Sequence, residues 1–141
     1  RASPLQEKGL IAALKELAET AADRAGASLE LSLPEQSQCK LPPVVEQGLY
    51  RIAQEALENI IRHADAGEIA LRLKPEEKAV VLYIDDDGLG AEVQDLQSQG
   101  AQSKRHLGIR GMEERASFIG GELKITSQAG EGTSVRLRVP L

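Results

Sequence analysis

The stretch QEALENIIRHADA, residues 54–66, sets polar groups on a helix whose other positions are strongly apolar. Extended upstream to Pro43, whose ring suits a first helical turn, it predicts a helix over residues 43–66. Leu49, Ile52, Ala53, Ala56, Ile60 and Ala64 form its core-facing stripe, while Glu55, Asn59 and His63 follow at intervals of four and share a face. Glu55 and Asn59 lean toward the apolar side, where an unsatisfied polar group is costly. Two readings stand together: Glu55, Asn59, Arg62 and His63 make a solvent face, or they serve a ligand. An Asn carbonyl beside a carboxylate is chemistry that suits magnesium, which takes one or two protein oxygens with phosphate oxygens and water. Arg62 and His63 would then meet phosphate oxygens.

Downstream, residues 68–73 and 79–85 read as two strands around the charged turn 74–78, and the second runs into Asp85-Asp86-Asp87-Gly88-Leu89-Gly90. A calcium loop is excluded, because Gly88 at its sixth position puts Tyr83 at the first and Gln94 at the twelfth, where oxygen-rich acids are required. What remains is a plain acidic turn or a ligand floor. In the second case Asp86 accepts a hydrogen bond from an exocyclic amine, and Gly88 and Gly90 let the ligand approach the backbone. His106-Leu107-Gly108-Ile109-Arg110-Gly111-Met112 places two glycines at the start of a predicted helix over 108–119, where free N–H groups and the helix dipole favour an anion such as phosphate. Close packing of that helix on a neighbour explains the same glycines equally. No GxxxxGK[ST] occurs, and GIRG lacks dinucleotide spacing.

Toward the ends, residues 4–25 carry Leu10, Ala13, Leu14, Leu17 and Ala21 at helix period up to Gly26. Residues 28–33 alternate like a strand, 34–42 form a proline-bracketed loop, and 91–107 a long Gln/Ser/Gly-rich loop of the functional or mobile kind. Strands over 122–127 and 133–139 close the chain around the turn AGEG, which reads either as an ordinary hairpin turn or as a site where Thr133 hydrogen-bonds a base. The 141 residues, 41% hydrophobic, fit one domain with an aliphatic core, since only Tyr50, Tyr83 and Phe118 are aromatic. A net charge of −5 and scarce aromatics argue against nucleic acid. The single cysteine, Cys39, allows no intramolecular disulfide and fits a reducing, cytoplasmic setting. No apolar run reaches membrane-span length, so no membrane contact is expected of this domain, although a parent protein can be anchored. Opening at Arg1 without Met, the chain reads as a fragment.

Taken in order, QEALENIIRHADA resembles the asparagine box, DDGLG the first glycine box, HLGIRGMEERA the second and GEGTSVRLRVP the last of the nucleotide-binding fold shared by histidine kinases, gyrase-type ATPases, Hsp90 chaperones and MutL proteins. GIRGMEERA followed by GGELKITS is most similar to the nitrate-sensor-like histidine kinases. SPLQEKGLIAAL resembles the segment after their dimerisation helices, so residues 1–26 would continue from an absent dimerisation and phospho-acceptor segment. The resemblance covers nearly all of residues 1–141. It implies a two-layer α/β sandwich, a mixed sheet covered on one face by helices, with ATP between the asparagine-box helix and a lid.

By position it implies that Asn59 holds Mg2+, with Glu55 in the metal shell or acting as base, and that Arg62 and His63 approach the phosphates. Asp86 takes the adenine amine in a pocket shaped by Gly88 and Gly90, Gly108 and Gly111 hinge the lid with Ile109 and Met112 beside them, and Thr133 lies by adenine. Ile109 stands where Leu is commoner. The implied activity passes the γ-phosphoryl group of ATP to a histidine on the dimerisation domain, then to a response regulator. No HD or HE pair of the phospho-acceptor kind occurs, and neither His63 nor His106 fits that role, so the fragment is expected to bind ATP without phosphorylating itself efficiently. The rivals are an anti-sigma-type serine kinase, a gyrase-type ATPase module and a non-catalytic binding module of the same fold.

Overall fold

In the computed structural model, which describes residues 3–90 and 104–141, the predicted first helix is two. Helix α1 (Pro4–Lys8) starts at a Ser3 cap, and α2 (Leu10–Ala25) follows Gly9, whose φ of 83° no helix accommodates. The apolar period of α2 is real: Leu10, Ala13, Leu14, Ala18, Ala21 and Ala22 are buried. Its end is a left-handed Gly26 with Ala27 N–H donating to the Ala22 carbonyl.

Strand β1 (Ser28–Ser32) leads through a 3-10 turn at Gln36–Gln38 to α3 (Pro43–Asn59), with Pro43 at its first position. Helix α3 does not run to residue 66. From Ile60–Ala64 the chain widens into a π turn and closes on Asp65 at φ 50°, ψ 49°, a left-handed conformation that Asp tolerates better than most residues. The wider turn changes the angular phase, so His63 no longer continues the row begun by Glu55 and Asn59. Strands β2 (Glu68–Glu76) and β3 (Ala79–Asp86) each run longer than predicted around a tight two-residue turn.

Helix α4 (Lys104–Phe118) starts four residues before the predicted position. Gly108 and Gly111 are therefore interior to the helix and their N–H groups are not the free donors of a helix start, which overturns the anion argument from helix polarity. The tertiary contacts of Ile109, Met112 and Ala116, all buried at helix spacing, hold the helix together despite two glycines. Gly120, at φ 73°, ends it. The long loop expected over 91–107 falls, for 91–103, outside the described residues, and residues 104–107 belong to the helix. Strands β4 (Glu122–Gln128) and β5 (Gly132–Pro140) complete the chain.

The five strands lie in the order β1-β2-β3-β5-β4, with β1 parallel to β2 and all other pairs antiparallel. Alternation along each strand sends one set of side chains to the helices. Register stacks these into rows: Leu73, Leu82, Leu137 and Leu123, then Leu71, Ile84, Val135 and Ile125. Helices α2, α3 and α4 lie on that face, and Leu10, Leu14, Leu49, Ile52, Leu57 and Met112 complete an aliphatic core. Among the described residues the opposite face carries no helix; there the Arg72 guanidinium lies 4.5 Å above the Tyr83 ring. The predicted two-layer α/β sandwich with a mixed sheet is the observed architecture.

Candidate functional site

The next row of the helix-facing side departs from the aliphatic pattern. Register continues Ile69, Asp86, Thr133, Ser127, so three strands that have supplied Leu, Ile and Val supply a carboxyl and two hydroxyls at one end of the core. Buried polar groups persist only where they are satisfied, and here they satisfy one another in part. Ser127, with 5% of its surface exposed, shares a 2.8 Å hydrogen bond with the Thr133 hydroxyl and donates to the Gly132 carbonyl at 3.3 Å.

Above this row is a cleft. Its floor is Ile84, Asp86, Thr133, Val135 and Ile125, one wall is Ala56, Asn59 and Ile60, and the other is Ile109 and Met112 of α4. The enclosed space is about 30 Å³, enough for one or two waters. The sides are aliphatic and the end is polar, the usual make-up of a small-molecule site.

Backbone geometry fixes the polar end. The Asp86 carboxylate accepts from Gly88 N–H at 2.8 Å, which turns the chain directly after β3. Asp87 accepts from Gly67 N–H and Glu68 N–H, both at 2.8 Å, and ties this turn to the start of β2. Two glycines permit the approach of the β4–β5 turn. Gly90 has φ 60°, and a Cβ there would overlap the Gln128 carbonyl oxygen; Gly132 has φ 85°, and a Cβ there would overlap the Asp86 carbonyl oxygen and lie 2.9 Å from its carbon.

Of the residues singled out from sequence, Asn59, Asp86, Ile109, Met112 and Thr133 line one cleft, and Gly88 and Gly90 build its rim. Glu55 sits one turn from Asn59, outside the cleft wall, facing α4. A Cβ built on Gly108 would lie 2.7 Å from Glu55 Oε2 and 3.5 Å from Asn59 Oδ1, so both oxygens converge on the space that Gly108 leaves open. A carboxylate and an amide oxygen side by side are hard donors of the kind magnesium takes. Gly111 faces open space, with nothing within 4 Å of a built Cβ. Arg62 is not brought to the cleft; it pairs with Glu58 at 3.3 Å on the exposed side. His63, half-buried in the π turn, does not line the cleft.

Sequence reasoning missed the apolar walls Ala56, Ile60, Ile84, Ile125 and Val135, which period alone cannot separate from ordinary core. It also missed Ser127, Gly132 and the bracing role of Asp87. Pairing β4 with β5 across the AGEG turn would have set Ser127 opposite Thr133.

Fold and cleft together define a two-layer α/β ligand-binding domain with its site between sheet and helices. Residues 44–141 match the family described as histidine kinase-, DNA gyrase B-, and HSP90-like ATPase, and the chain belongs to that family. Among its relatives is the sensor histidine kinase YxjM of Bacillus subtilis (strain 168), 34% identical over 93% of this chain and 30% of the relative. The histidine kinase domain of the Erythrobacter litoralis EL346 blue-light activated histidine kinase superposes with a TM-score of 0.76 at 22% identity, over 100% of this chain and 66% of that one. Full-length ShkA in complex with AMPPNP superposes with a TM-score of 0.69 at 19% identity, over 91% of this chain and 29% of that one. The chain spans between 26% and 36% of the length of the curated relatives DegS of Bacillus subtilis and LiaS. Among the described residues no helix is long and apolar enough to cross a membrane.

Proposed function

We propose that this domain binds Mg-ATP in the cleft between α3, α4 and the sheet, and presents the γ-phosphoryl group to a histidine on the dimerisation domain of a two-component sensor kinase. A response regulator is the onward acceptor, and the domain works on the cytoplasmic side, where ATP is available. The observation that carries this reading is that Asn59 and Asp86, 27 positions apart, open onto one cleft of which the floor between them is aliphatic. Purine faces suit Ile84, Val135, Ile109 and Met112, and the Asp86 carboxylate suits an exocyclic amine. The ShkA complex with AMPPNP supports the same placement by likeness of fold.

Magnesium, when bound, neutralises phosphate charge; Asn59 would hold it and Glu55 would stand in its shell or take the histidine proton. Delivery of a phosphoryl group is mostly positioning, and the rigid row at the end of the sheet supplies the fixed reference. A cleft of about 30 Å³ is several times too small for a purine. Binding therefore requires Ile109 and Met112 to move out with α4, while Gly108 and Gly111 give that helix its hinge. Arg62 would leave Glu58 to reach the phosphates, and His63 would approach them from the π turn.

Isothermal titration calorimetry with Mg-ATP tests the assignment. Asn59→Ala is expected to abolish the magnesium-dependent part of binding, and Asp86→Asn to weaken binding roughly tenfold as a charged acceptor becomes a neutral one. Wild-type affinity in both variants refutes the site.

A further inference from the structure

We infer that Glu58 is a positioning residue that restrains the phosphate end of the proposed site: it holds the Arg62 guanidinium away from the cleft, so that nucleotide phosphates and this carboxylate compete for one cation. The inference rests on the proposed nucleotide site and adds to it a group that sets its affinity. Arg62 Nε lies 3.3 Å from Glu58 Oε1, and Arg24 Nη1 lies 3.4 Å from Glu58 Oε2. One carboxylate thus takes a cation on each oxygen, Arg24 from the last turn of α2 and Arg62 from the π turn. Helix winding explains the second pairing. Residue 62 has two neighbours one turn back, Glu58 at four positions and Asn59 at three, and of these Asn59 lines the cleft. The π turn over Ile60–Ala64 puts more residues into each turn, which draws Arg62 over the more distant neighbour, Glu58.

Magnitudes decide which anion wins. The Arg62 side chain is 45% exposed and that of Glu58 28%, and a pair so open to water is weak. Phosphate offers the guanidinium a stronger, bidentate partner. When Arg62 leaves, Arg24 still neutralises Glu58, so no carboxylate is stranded. Nucleotide therefore takes Arg62, but its affinity is lowered by the fraction of chains in which Glu58 holds that side chain back.

Calorimetric titration of the 141-residue chain with Mg-ATP, at fixed salt and pH, reads this directly. Glu58→Gln removes the charge at nearly constant shape and is expected to tighten binding about twofold to fivefold, the range of an exposed ion pair. Arg62→Gln is expected to weaken binding, and the further Glu58→Gln change is then expected to add nothing, since Glu58 acts through Arg62. Adenosine, which carries no phosphate, is expected to bind the wild-type and Glu58→Gln chains equally. Tightening of the same size with and without the Arg62 guanidinium means that Glu58 merely repels phosphate through space, and overturns the inference. So does an equal gain for adenosine, or unchanged or weaker Mg-ATP binding by Glu58→Gln. Wild-type affinity in Arg62→Gln overturns it as well, because Arg62 then meets no phosphate. Failure of the wild-type chain to bind Mg-ATP refutes instead the nucleotide site on which the inference stands.

Discussion

Replacing Gly132 by alanine tests whether the β4–β5 turn is truly pressed against the end of β3. The new methyl meets two costs. A left-handed residue with a Cβ costs about 1–2 kcal/mol, and Gly132 has φ 85°. The Cβ would also overlap the Asp86 carbonyl oxygen and lie 3.0 Å from Asp87 Cα. These are backbone atoms, which cannot swing aside as a side chain does. Separating the strands there sacrifices one or two ladder hydrogen bonds at about 1 kcal/mol each, for a total of about 2–4 kcal/mol. At about 2.1 cal/mol/K per residue, 141 residues give an unfolding entropy near 0.3 kcal/mol/K, so the melting temperature should fall by about 7–13 °C. Gly130 is the internal control: it shares the turn and has φ 81°, but nothing lies within 4 Å of a built Cβ. Gly130→Ala should therefore lose about 3–6 °C, from backbone strain alone. Differential scanning calorimetry compares the two. A Gly132→Ala midpoint within about 3 °C of Gly130→Ala would falsify the close approach and, with it, the placement of Asp86 against the turn.

Two further outcomes follow from the same geometry. Gly111→Ala places a methyl in open space inside a helix and should raise the nucleotide-free melting temperature by about 2–3 °C, while weakening Mg-ATP binding if the helix must bend there; a lowered melting temperature contradicts the interior position. Cys39 is buried, and burial together with the Glu46 charge pushes its thiol above the ordinary range. The thiolate is the reactive form, so at neutral pH labelling by a soluble disulfide reagent should wait on unfolding, and rapid labelling of the folded chain contradicts that burial.

Periodicity found all five strands and most helix surfaces, because apolar residues at period two and near four report directly which face is buried. It missed the break at Gly9, since one left-handed glycine in a helical pattern does not disturb the apolar period on either side. It ran α3 seven residues too far, to 66 instead of Asn59, because the change from α to π winding at Ile60 depends on tertiary contacts. The start of α4 was misplaced for the reverse reason: glycines at 108 and 111 read as a boundary, whereas packing of Ile109, Met112 and Ala116 overrides their poor propensity. The site was half legible. Asn59 stood out as a polar residue on an apolar helix, Asp86 and Thr133 as residues beside glycine-rich turns, and the structure brings the three to one cleft. Arg62, bound to Glu58, took an orientation that spacing cannot report, and Glu55, one turn before Asn59, faces α4 rather than the cleft. Ser127 was invisible without strand register, because a lone serine near a turn has no signature of its own.

In the proposed site Asn59 and Asp86 face the two ends of one bound nucleotide. A crystal structure of the 141-residue chain with magnesium and a non-hydrolysable ATP analogue measures it. The purine amine is expected within hydrogen-bonding distance of the Asp86 carboxylate and the metal within coordinating distance of Asn59. Nucleotide seated elsewhere, with the space between those two side chains still closed by Ile109 and Met112, contradicts it.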